Sequence, residues 1–110
     1  MNQENDWTSG YVADVPYTVG FYRELSPSLQ QYVLLQRGFA LPHVPDASFD
    51  HFELGFGQGF SLVVHALTHP QGHFWGNDFN PEHVKFAQSL AEASRTDVDL
   101  MDDSFEQLLE

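Results

Sequence analysis

Three short strand-like segments separated by helix-length stretches constrain this chain more than any other feature. SFDHFEL ends at Leu54, HFWGNDF ends near Asp78, and TDVDLMDD ends at Asp103. They recur about twenty residues apart, with FSLVVHALTH and PEHVKFAQSLAEAS between them. That interval is the length of a βαβ unit, so an α/β fold with a parallel sheet is expected. The second intervening stretch has apolar residues at 84, 86, 87, 90, 91 and 93, an amphipathic helical pattern. Asn80-Pro81 supplies its start, as an N-cap followed by proline at the first helical position. The final stretch, SFEQLLE, begins one more helix.

Upstream, Ser26-Pro27 is a second cap-plus-proline start, and SLQQYVLLQR reads as a helix stopped by Gly38. Pro42 and Pro45 mark residues 39–48 as loop. With 110 residues the chain is one domain at most. Residues 1–48 are expected to form an aromatic and helical lead that packs on a sheet unit of residues 49–110. Sixteen acidic residues face four basic ones, for a net charge of -12. Such a surface repels phosphate backbones, which argues against nucleic-acid binding by this segment alone. The absence of cysteine excludes disulfides and thiolate metal sites. No apolar run approaches the length of a membrane span. MNQENDWTSG has neither the basic start nor the apolar core of a signal peptide, so a cytoplasmic location is expected by elimination.

The loop FELGFGQGF joins the first strand to its helix. Glycines at 55, 57 and 59 permit unusual dihedrals and close approach of a ligand to the backbone. Amides at the start of the next helix favour negative charge. The dinucleotide pattern GxGxxG is not met, because Phe60 stands where its third glycine belongs. The phosphate loop GxxxxGK[ST] is absent. Glu53, two residues before Gly55, would repel a pyrophosphate and suits a ligand with an ammonium or sulfonium. The plainer alternative is a tight turn after a polar strand end.

Asp78 closes the second strand, where an acid can accept both hydroxyls of a ribose. Its alternative is a helix cap, a job for which Asn80 is better placed. Asp102 and Asp103 close the third strand, followed by Ser104 and Phe105. One of these acids is suited to the exocyclic amine of an adenine, with an aromatic neighbour stacking on the ring. Capping of the last helix by Asp103 or Ser104 is the alternative. The three strand ends would lie along one edge, where open α/β sheets bind ligands.

ELGFGQG, GNDFNPEH and MDDSF together resemble the N-terminal half of class I S-adenosylmethionine-dependent methyltransferases over residues 49–110. The opening YVADVPYTVGFYRELSP looks like the lead of an uncharacterised bacterial subgroup of them. The resemblance implies a partial Rossmann-like sheet of strand order 3-2-1 and S-adenosyl-L-methionine as cofactor. It implies that Glu53, Gly55, Gly57 and Gly59 hold the methionine moiety and that Asp78 takes the ribose. Phe79 would lie against the adenine, and Asp103, with Ser104 and Phe105 adjoining, would take its amine. Tyr11, Asp14 or Tyr17 would close over the cofactor. The family's fourth strand and acceptor motif have no counterpart before Glu110, so turnover by this chain alone is not expected. The strand ending at Glu53 would then have an exposed edge, suited to self-association. A non-catalytic binding module and an NAD-dependent oxidoreductase fragment are the competing readings. The six histidines include no HExxH, and His65 and His69 read as a helix-end cap or a solvated pair, so no metal is expected.

Overall fold

A computed structural model describes residues 19–41 and 47–110. After a 3-10 turn at Arg23–Leu25 come α1 (Pro27–Gln36), β1 (Phe49–Leu54) and α2 (Phe60–Thr68). They are followed by β2 (Gly72–Asn77), α3 (Pro81–Ser94), β3 (Asp99–Met101) and α4 (Phe105–Leu108). The sheet is parallel with order β1-β2-β3, which is the order 3-2-1 read from the other edge. Asp50 pairs with His73, Glu53 with Gly76, and Trp75 with Asp99. The architecture is that of a partial Rossmann-like α/β unit with flanking helices. β3 keeps only three residues of the segment 96–103, and β2 stops one residue before Asp78.

Local chemistry sets the helix ends. Asn80 Oδ1 accepts the Glu82 amide at 3.0 Å, with Pro81 at the first helical position. Ser26 occupies the cap position of α1 but makes no side-chain bond there, so Pro27 alone marks that start. α1 ends as expected at Gly38, whose φ of 81° lets Phe39 N–H reach Leu34 O and Gly38 N–H reach Leu35 O. α3 ends in the same left-handed conformation on Arg95, at φ 54°.

The core lies between one sheet face and helices α2 and α3. Phe56, Leu62, Ala66, Phe74, Val84 and Ala87 form it, with Phe49, Val98 and Leu100 packed against it. Along β1, Phe49, His51 and Glu53 turn toward the helices, while Asp50, Phe52 and Leu54 are exposed. Among the described residues β1 pairs only with β2, so its other edge is open. No helix among them is long and apolar enough to cross a membrane.

The lead meets the sheet unit through α2. Ser61 Oγ accepts Tyr22 N–H at 2.7 Å and donates to Gly20 O at 3.2 Å. His65 Nε2 lies 3.1 Å from Tyr22 O, which makes Nε2 the protonated nitrogen. His65 is therefore buried, and the expectation of a solvated pair fails for it. His69 does cap: its Nδ1 sits 2.8 Å from the His65 carbonyl, leaving Nε2 to accept from Ser28 Oγ at 2.7 Å.

Candidate functional site

The glycine turn connects β1 to α2, and its three glycines adopt left-handed φ values of 66°, 64° and 77° at 55, 57 and 59. They do not share one task. A side-chain carbon on Gly59 would stand 2.6 Å from Ala87 Cβ, so that glycine allows α2 and α3 to approach. A carbon on Gly55 would meet only Phe105 Cζ, at 3.8 Å. Gly55 is the position at which the turn leaves space beside the backbone.

Asn77, which sequence reasoning did not single out, ties the three strand ends together. Its Oδ1 accepts Gly55 N–H at 3.1 Å, and its Nδ2 donates to Asp103 O at 3.0 Å. Its own carbonyl accepts Phe56 N–H at 3.0 Å. Asn77 is 1% exposed, so its side chain is held in place by these bonds rather than by water. An amide is the side chain that both donates and accepts, which the position requires.

Asp78 is buried, and it is not a residue left over from capping. Oδ1 accepts Gly57 N–H at 3.3 Å; Oδ2 accepts Asn80 N–H at 3.2 Å and His83 Nδ1–H at 2.7 Å. Asn80 Nδ2 donates to His83 Nε2 at 3.3 Å, which fixes the same tautomer. The carboxylate holds the glycine turn against the start of α3, and these bonds offset the cost of its burial. His83 was also missed; its only sequence signal is its place one helical turn after the cap Asn80.

Glu53 is the group whose bonding is incomplete. Its Oε2 is buried and meets no hydrogen-bond partner among the described residues. Burial pushes the carboxyl from 4.5 up to about 7. Gly76 lies opposite it on β2. The site thus holds an acid that is neutral or charged according to small changes around it.

After β3, Ser104 caps α4 reciprocally. Its Oγ accepts Gln107 N–H at 3.2 Å and its N–H donates to Gln107 Oε1 at 2.7 Å. The capping role weighed for Asp103 therefore falls to Ser104. Asp103 is half-buried where Asn77 anchors its carbonyl, while Asp102 is exposed. Phe79 is half-buried and Phe105 exposed. Gly55, Gly57, Asp78, Asp103 and Phe105 are thus linked at the carboxyl ends of adjacent strands; Gly59 and Ser104 serve packing and capping. Tyr11, Asp14 and Tyr17 lie outside the described residues. Among the described residues no cluster of three His, Asp or Glu groups is arranged to hold a metal ion.

No protein-family model matches the chain. The chain is similar to "Uncharacterized protein sll1526" of Synechocystis sp., with 40% identity over 104 residues, 94% of this chain and 20% of that protein. It therefore spans about a fifth of the length of the curated relative it matches.

Proposed function

We propose that this chain is the cofactor-binding part of a cytoplasmic S-adenosylmethionine-dependent methyltransferase. The observation that carries the reading is Glu53: an acid with a buried oxygen that has no hydrogen-bond partner among the described residues, two residues before a left-handed glycine turn. A cationic ligand group would complete its bonding, and an adenosyl cofactor with an ammonium and a sulfonium supplies one. A pyrophosphate would face repulsion from the same acid.

The cofactor's carboxylate suits the amides at the start of α2. Gly55 provides the open approach to the backbone. Asp103 would take the adenine amine, with Phe79 and Phe105 beside the ring. Asp78 would offer the ribose its Oδ1, which also accepts Gly57 N–H, while Oδ2 stays bound to Asn80 N–H and His83 at the start of α3. The family's chemistry is attack on an activated methyl, in which the protein mainly aligns the reactants.

Calorimetric titration of the chain with S-adenosylmethionine, S-adenosylhomocysteine and NAD tests this. Binding of the adenosyl amino acids without NAD is expected. Selective binding of NAD, or no binding of any of the three, overturns it. Because a cation favours ionised Glu53, affinity is expected to weaken as pH falls through about 7.

A further inference from the structure

Asp78 follows β2 directly, yet little of its carboxylate is left for a ligand. Its side chain is 6% exposed, and that of His83 beside it 9%. A carboxylate offers about four acceptor positions, two on each oxygen. Three of them are taken within the chain. Oδ1 accepts Gly57 N–H, and Oδ2 accepts both Asn80 N–H and His83 Nδ1–H. Two of these donors are backbone amides, fixed by the glycine turn and by the start of α3; the third is a side chain. That side chain is itself held. His83 lies in the first turn of α3, and Asn80, the cap of the same helix, donates from Nδ2 to its Nε2. The imidazole therefore keeps its proton on Nδ1, aimed at Oδ2.

A ribose presents two neighbouring hydroxyls, and an acid that accepts both must give each a free position. Asp78 has one, on Oδ1. We propose, resting on the adenosyl-cofactor reading of this site, that Asp78 takes one ribose hydroxyl and leaves the other unread, and that His83 is the positioning residue that sets this limit. His83 fills the second position on Oδ2 and keeps the carboxylate from turning to present both oxygens. Adenosyl ligands that lack the unread hydroxyl then belong to the class the site admits. The hydroxyl that is read meets a buried carboxylate, so its loss is felt strongly.

Calorimetric titration of the 110-residue chain with S-adenosylhomocysteine and with its 2′-deoxy and 3′-deoxy forms tests this. One deoxy form is expected to bind within about twofold of S-adenosylhomocysteine, and the other about tenfold or more weaker. Weakening of both, or of neither, overturns the proposal while adenosyl binding itself stands. In His83→Leu a position on Oδ2 is vacated, and the two deoxy forms should differ by less than about threefold. His83→Asn, which can donate from the place of Nδ1, should keep the original preference. A Leu variant that folds and keeps the preference overturns the role of His83. The ligand-free chain supplies a measure that needs no cofactor. Nitrogen NMR is expected to show His83 protonated on Nδ1, with slow hydrogen exchange at Gly57 and Asn80 N–H. An imidazole protonated on Nε2 alone, or unprotected exchange at both amides, overturns the proposal whether or not a ligand binds. No binding of S-adenosylhomocysteine with those signs present overturns the cofactor reading, and the proposal with it.

Discussion

At the scale of single residues, the glycine turn separates packing from recognition. Gly59→Ala meets both a left-handed backbone and Ala87, so a loss of about 2–4 kcal/mol is expected in urea unfolding. Gly55→Ala meets the backbone penalty without the clash, so about 1 kcal/mol is expected, with a larger loss of cofactor affinity. Glu53 gives the opposite sign. Its folded pKa is raised from 4.5 to about 7, so the stability it contributes is full below 4.5 and lost as pH rises through about 7. Glu53→Gln is expected to stabilise the chain by about 1–3 kcal/mol at about pH 8 and to change little at about pH 4, while cofactor affinity falls at least tenfold. A Gln variant that binds as well as the parent would remove Glu53 from the site.

At the scale of elements, the lead and α2 are joined by hydrogen bonds that include a neutral histidine. His51 and His65 are both lowered from 6.5, by burial first; Tyr22 O opposes the shift of His65, and neighbouring imidazoles add to both. The imidazoles sit among aromatic rings, with Phe21 at 5.2 Å from His65 and Phe74 at 5.1 Å from His51. Below 6.5 the unfolded chain takes up protons that the folded chain resists, so stability falls as pH drops from 6.5 toward the folded values. Glu53 acts oppositely over part of that range, so the readout must be local. The hydrogen-exchange protection of Tyr22 N–H, which Ser61 accepts, is expected to drop as pH falls below 6.5. His65→Gln should flatten that dependence. The pair illustrates what was hidden in sequence: helical spacing put 65 and 69 on one face, but not which segment would cover that face.

At the scale of the whole molecule, a parallel sheet has both helices on one face and leaves Phe52, Leu54 and Trp75 toward the other. On that open face His73 stacks on Trp75 at 4.9 Å and bonds Asp99 at 2.6 Å, with Asp50 at 3.5 Å. Those acids raise the His73 pKa, with the Asp99 hydrogen bond the largest cause. Helix positions and the strand-end location of the acids were legible in the sequence, because they rest on local periodicity and on the length a crossover requires, whereas the strand order came from the resemblance. The glycine motif was legible as a turn for the same reason. What each side chain does was not. Asn77 and Asp78 are adjacent in sequence; Asp78 stood out as an acid at a strand end, and Asn77 did not stand out at all. Only the convergence of three strands at one edge makes the first a tie between Gly55 and Asp103 and the second a brace for Gly57. The same convergence buries Glu53 Oε2 without a partner among the described residues. Sequence by itself determined which elements form and in what order, since those depend on neighbours along the chain. Tertiary structure alone decided which polar groups are satisfied, since a hydrogen bond depends on neighbours in space.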